Sequence, residues 1–340
     1  MNEGALSSPG GSPTRLALGR DESGFALLIV LWIFMVLFVI GAEFSTEMRQ
    51  DAQATVNFAD ETQSYYLAAA AINRTFLGAL VERDQSTLGA SPEEFGPEYV
   101  RLIKVDGVWN KETLWDAPVW VRVIDESGKV PINLADQPVL QQILINLGVP
   151  LEDASAIADS IIDWRDEDDE HRVGGAESEY YMDLPRPYVA KNAPFDSLEE
   201  LRLVKGVTDE LFFGGEEHAV GLQDLFSVFN REPTLNIRSA TPEVLQAVLG
   251  LDEEQMKQFM LARMAGGGAL LEGLSVLLPN PAMADLLADE PPSILLIEAQ
   301  AKLPSARVGA HVGAVVDLGE SHEGVYILRW MDQLPIAEVS

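Results

Sequence analysis

Phe25–Ala42 reads FALLIVLWIFMVLFVIGA, eighteen residues without a charge, and Glu43–Val81 continues as EFSTEMRQDAQATVNFADETQSYYLAAAAINRTFLGALV. Eighteen residues at 1.5 Å each make about 27 Å of helix, close to the roughly 30 Å of a bilayer's hydrocarbon core. The continuation holds no Pro, and no Gly before Gly78. Its apolar residues (Phe44, Met48, Ala52, Val56, Ala59, then Ala68, Ile72, Phe76 and Leu80) recur mostly at three- or four-residue spacing, one face of a helix. One helix from 25 to about 82, half in lipid and half outside it, is predicted. The apolar run has three readings: a secretory signal cut near Ile40-Gly41-Ala42, though such a core should be about 7–15 residues; an uncleaved anchor; or the front of a longer helix. Arg15 and Arg20 precede the run, and acids outnumber bases after it, which orients the N-terminus to the cytoplasm.

Working outward, 83–98 reads as loop. Tyr99–Val105 and Pro118–Ile124 alternate apolar and polar residues as strands do, with a polar stretch between them. Ile132-Asn133-Leu134 is strand-like, and Pro138 opens a helix to about 147 that stops before Gly148. The pattern echoes a hundred residues on, in Leu235-Asn236-Ile237 followed by Pro242. Leu151–Trp164 has helical spacing, and 196–207 reads helix, Gly turn, helix. Ile294–Ala301, Val308–Asp317 and Val325–Trp330 return to strand. Strands on both sides of a helical block predict an α+β fold: a long N-terminal helix, an antiparallel sheet and a large helical domain inserted into it. The segments are 1–24, a leader; 25–42, the transmembrane half-helix; 43–134, the rest of the helix and the first strands; 135–232, the helical insert; and 233–340, a second strand–helix unit, linker and last strands.

The chain has 54 acids against 23 bases, a net charge of −31, and no cysteine. That balance argues against nucleic acid, whose binders need a basic face. The absence of cysteine excludes disulfides, thiolate metal sites and a Cys nucleophile. His171, His218, His311 and His322 form no HxxxH pair. Gly266–Gly268 is not followed by Lys-Ser/Thr, and no serine sits in G-x-S-x-G, so no enzyme is predicted. Trp109, Trp115 and Trp120 read as sheet packing, and Tyr180 and Tyr181 as core anchors. The helix–turn–helix at 196–207 is a generic packing unit in acidic surroundings.

The densest chemistry is Asp163–Asp183, DWRDEDDEHRVGGAESEYYMD, with nine carboxylates and two arginines. Like charges so close repel unless something neutralises them, and Ca2+ takes six to eight such oxygens. Asp166, Asp168, Glu170 and Glu177 fall at positions one, three, five and twelve of an EF-hand loop. His171 stands where that loop needs glycine, which rejects a true EF-hand. From spacing alone, a calcium loop and a solvated acidic loop both remain open.

A leader ending in Gly24, then Phe25 and an apolar stretch running into an amphipathic helix, resembles the type IV pilins and pseudopilins. The resemblance implies cleavage by a prepilin peptidase between Gly24 and Phe25, with methylation of the new N-terminus. It also puts Ile29 where most members carry the glutamate that pairs with a neighbouring subunit's amine. Lack of that glutamate resembles the K-type minor pseudopilins of type II secretion. So do Asp163-Trp164-Arg165-Asp166-Glu167-Asp168, Gly175-Ala176-Glu177, Tyr180-Tyr181, Pro187-Tyr188, Asn192-Ala193-Pro194-Phe195 and Leu198–Val207. His171, where proline is common, and Asp21-Glu22, where basic residues are usual, depart from the pattern.

The resemblance implies up to two Ca2+ ions in the helical domain, held by Asp166, Asp168, Glu177 and Glu179, with Asp169, Glu170 and Asp183 as second choices. It implies a non-enzymatic subunit of the inner membrane, single-pass with a periplasmic C-terminal domain. That subunit would initiate or cap a pseudopilus for protein secretion. Expected partners are the I- and J-type minor pseudopilins, the major pseudopilin, the prepilin peptidase and the inner-membrane assembly platform. The alternative is a signal-anchored periplasmic calcium-binding or hydrolytic domain unrelated to pili.

Overall fold

The computed structural model describes residues 22–88, 104–216, 218, 220–265, 278, 281–318 and 326–336. The chain divides into two units, Met1–Ala59 and Asp60–Ser340. Helix α1, Glu22–Leu88, is 67 residues long, so the loop expected from 83 begins no earlier than 89. In the first unit its apolar window has a mean hydropathy of 3.0 and is not buried within the chain, with Phe25, Trp32 and Phe38 at least 66 % exposed. It is long and apolar enough to cross a membrane. Gly24 and Phe25 lie in its first turn and Ile29 one turn on.

The second unit holds an antiparallel sheet of β1 (Asn110–Leu114), β2 (Ala117–Asp125), β7 (Ile294–Ala301), β8 (Ala310–Asp317) and β9 (Tyr326–Met331), in the order β1-β2-β7-β8-β9. Every second residue of β2 points inward, Val119, Val121 and Val123, and meets Leu67, Ala68, Ala71 and Ile72 of α1 across the sheet face. β1 was not expected. Its hairpin turns on Trp115 and Asp116, both with positive φ (47° and 64°), the left-handed pair such a turn requires. Asn or Gly usually signals it, so the turn was hidden. Trp115 is consequently 75 % exposed at the tip rather than packed on the sheet. The strand expected at 99–105 lies outside the described residues up to 103, and Lys104 and Val105 form no strand.

β2 pairs directly with β7, Val121 opposite Ala299, so residues 126–293 are inserted between two neighbouring strands. In order they form β3 (Val130–Pro131), α2 (Gln137–Asn146), α3 (Leu151–Arg165), α4 (Ser178–Met182), a 3-10 turn (Leu198–Leu203), α5 (Asp209–Phe213) and α6 (Leu222–Leu225). β4 (Phe226–Ser227), β5 (Leu235–Asn236), α7 (Pro242–Leu249), α8 (Glu253–Ala265), a 3-10 turn (Pro281–Leu286) and β6 (Leu287–Ala288) follow. The first helix expected at 196–207 is thus a 3-10 turn, capped by Ser197 with Glu200. One apolar core runs from Val130 to Leu287, so it does not divide at 232.

The echo is a repeat, in a register the residues did not reveal. Arg165 donates to the carbonyls of Ile132 and Ala135, and Arg263 Nη1 donates to those of Ile237 and Ala240, at 3.3 and 2.6 Å. Asp136 caps α2 by accepting from the Val139 N–H, and Thr241 caps α7 by accepting from that of Val244. Residue 237 stands to 132 as 240 to 135, 241 to 136 and 244 to 139, 105 residues on each time. Arginine suits the role because its rigid fork reaches two carbonyls at once.

Candidate metal centre

Helix α3 carries Asp159 and Asp163 one turn apart on its inner face, 9 % and 0 % exposed. They clamp the loop that follows. Asp163 Oδ2 accepts from the Arg172 N–H at 3.0 Å, and Asp159 Oδ2 from the Gly174 N–H at 3.1 Å. The glycine pair permits this closeness: a Cβ on Gly175 would lie 1.8 Å from Asp163 Oδ2, and one on Gly174 2.8 Å from Ala156 Cα. On the other side Lys205 Nζ donates to the carbonyls of Gly174 and Gly175, both at 3.0 Å. Beneath lies an aromatic cluster. Trp164 meets Tyr181 edge-on at 5.3 Å, and Tyr181 stacks on Tyr188 at 5.1 Å. Tyr181 is fully buried, as expected of an anchor, whereas Tyr180 is 40 % exposed under Lys205 Nζ.

So held, the loop brings together Asp166, at the end of α3, with Asp168 and Glu177, which opens α4. One carboxylate oxygen of each lies within 4.8 Å of the others. Asn192, in a left-handed conformation (φ 48°), braces the rim by donating to the Asp168 carbonyl and to Asp169 Oδ1 at 3.0 and 2.9 Å. Of the residues expected as ligands, Asp166, Asp168 and Glu177 converge. Asp169 is engaged by Asn192, and Glu170, Glu179 and Asp183 are exposed along an open groove beside Glu177. Asp163 was missed as a site residue. The available signal was an Asp pair four residues apart on an otherwise apolar helix face.

Glu177 is 5 % exposed, and neither of its oxygens accepts a hydrogen bond from the described residues. Asp166 Oδ1 and Asn192 Oδ1 are also buried without a donor. Burial, and then the charges of Asp163, Asp166, Asp169 and Asp168, push the Glu177 carboxyl up to about 7. Burial likewise raises Asp163 and Asp166. Bare buried carboxylates facing one another are costly. A hard divalent cation matches this all-oxygen set, so the residues present fit calcium.

Residues 121–213, which contain the whole of this site, match the family model described as Type II secretion system (T2SS), protein K. What the chain is similar to is protein K of type II secretion. It is 28 % identical over 208 residues to the type II secretion system protein K of Klebsiella pneumoniae, covering 57 % of this chain and 61 % of that one. It is 24 % identical over 316 residues to that of Aeromonas hydrophila, covering 86 % and 90 %. The chain spans about three-fifths of the length of the first of these protein K relatives. Its fold matches a chain in the crystal structure of the GspK-GspI-GspJ complex from the enterotoxigenic Escherichia coli type 2 secretion system. There the TM-score is 0.54 at 16 % identity, over 85 % of this chain and 99 % of that one. The α+β architecture expected of a K-type pseudopilin is therefore the one this chain has.

Proposed function

We propose that this chain is a minor pseudopilin of type II secretion that initiates or caps the pseudopilus, and that its acidic loop binds calcium. The observation that carries the first part is the insertion of 126–293 between the paired strands β2 and β7, in a chain headed by an unburied apolar helix. A helical domain set into the sheet widens the subunit. An apolar residue at position 29 cannot pair with a neighbour's amine, because only a buried carboxylate offers that partner. Both features suit a subunit with nothing stacked above it. Phe25–Ala42 would anchor it in the inner membrane, with the C-terminal domain periplasmic. It would later pack among partner helices of the I- and J-type and major pseudopilins, drawn from the assembly platform. No catalytic role is assigned.

In the loop, Asp166, Asp168 and Glu177 would hold Ca2+, whose charge would neutralise them and lock the loop against α3. Asp163 would position the loop, and Asn192 the rim. Mature N-terminal sequencing after co-expression with a prepilin peptidase tests the anchor. A methylated start at Phe25 is expected, and an intact leader or a start at Glu43 would sink the pseudopilin reading. Melting in calcium and in EGTA tests the loop. A higher Tm in calcium is expected, and identical curves would withdraw the ion.

A further inference from the structure

The two arginines of the acidic segment are used in opposite ways. Arg165 turns away, its guanidinium held by the carbonyls of Ile132 and Ala135. Arg172 turns in, with Nε 3.4 Å from Asp163 Oδ1 and Nη2 3.5 Å from Asp166 Oδ2. Both contacts are longer than the roughly 2.7–2.9 Å of a charge-assisted hydrogen bond, and the side chain is 45 % exposed. Its root is fixed all the same, because the Arg172 N–H donates to Asp163 Oδ2 at 3.0 Å. The residue is thus anchored at the backbone and loosely held at the head. Its charge rests on Asp163 and Asp166, while Glu177 has no hydrogen-bond donor among the described residues.

We infer that Arg172 is a built-in counter-cation of this site. It offsets Asp163 and Asp166 when no ion is held and swings to solvent when a divalent cation arrives, so it stabilises the unloaded loop and weakens the affinity for that cation. The reason is electrostatic. A guanidinium and a divalent ion a few ångströms apart in a partly buried site repel strongly, so the two compete for the same oxygens. Asp166 Oδ1 and both oxygens of Glu177 are buried without a donor among the described residues while the arginine is in place, and its departure frees Asp166 Oδ2. A long side chain with a half-exposed head moves at little cost, whereas a tight bidentate pair would not.

This inference rests on the calcium reading of the loop, and the test separates the two. Calcium binding to the full chain in detergent, stripped with EGTA, is measured by calorimetry for the wild type, Arg172→Met and Arg172→Lys, and each is melted in EGTA. Arg172→Met is expected to bind calcium about fivefold more tightly while melting at a lower temperature in EGTA, and Arg172→Lys to stay close to the wild type. Loss of a merely structural arginine would lower both affinity and Tm. Unchanged or weaker calcium binding by Arg172→Met, beside a wild type that binds, overturns the counter-cation role alone. A wild type that takes up no calcium overturns the calcium reading, and this role with it.

Discussion

Two buried acids in the second unit are treated in opposite ways. Asp125, where the chain leaves the sheet, is 4 % exposed, and its oxygens accept from the Ser127 N–H at 3.0 Å, Ser127 Oγ at 2.7 Å and Asn236 Nδ2 at 3.3 Å. Glu177 is 5 % exposed and accepts nothing from the described residues. Burial raises both carboxyls, but at Asp125 the donors of Ser239 and Ser127 oppose it, whereas at Glu177 neighbouring acids add to it. Buried polar groups are nearly always satisfied. The fold fits one acid with its donors and, among the described residues, gives the other none.

The comparison can be broken most forcibly at Gly175. Gly175→Ala forces a Cβ into the Asp163 carboxylate, which is fully buried and pinned by the Arg172 N–H. A loss of about 3 kcal/mol in denaturant unfolding, together with loss of the calcium-induced rise in Tm, is expected. Next comes pH. A carboxyl raised from 4.5 to about 7 in the folded state favours the protonated native form. The Glu177 contribution to stability in EGTA is therefore full at low pH and falls as pH rises through that window, by about 2 to 3 kcal/mol between pH 5 and 8. Glu177→Gln should flatten the profile, and calcium should remove it in the wild type. A flat wild-type curve in EGTA would show that Glu177 finds a partner in solution. Asp125→Ala strands the N–H and Oγ donors of Ser127 and should cost about 2 kcal/mol, equally with and without calcium. Calcium dependence there would erase the contrast. The smallest effect is expected at Arg263→Met, about 1 kcal/mol, for the two carbonyls it leaves.

Much of this was readable from local pattern. Phe25–Ala42 announces itself by hydropathy, β2 by strict alternation, and α2 by Pro138 at its start. All three are signals within a few residues of the element they describe. The β1–β2 hairpin was hidden because Trp115 and Asp116 adopt a conformation that neither residue type advertises. The repeat was seen but misaligned, since its register is kept by Arg165 and Arg263 reaching back to turns more than twenty residues earlier. Among the acids, spacing picked out Glu177, and the resemblance added Glu179 beside it. They are two residues apart, yet one opens α4 in the interior and the other faces the groove.

By itself, then, the sequence determined the apolar helix, the placing of a helical block between strands, and the crowding of acid into one glycine-bearing loop, because periodicity and charge density are properties of neighbouring residues. The tertiary structure alone decided that β2 and β7 are partners across the insert, that Lys205 and Asn192 hold the loop from distant segments, and that three acids converge while others stay in solvent. Those outcomes depend on which surfaces exclude water together, and burial is a property of the packed chain.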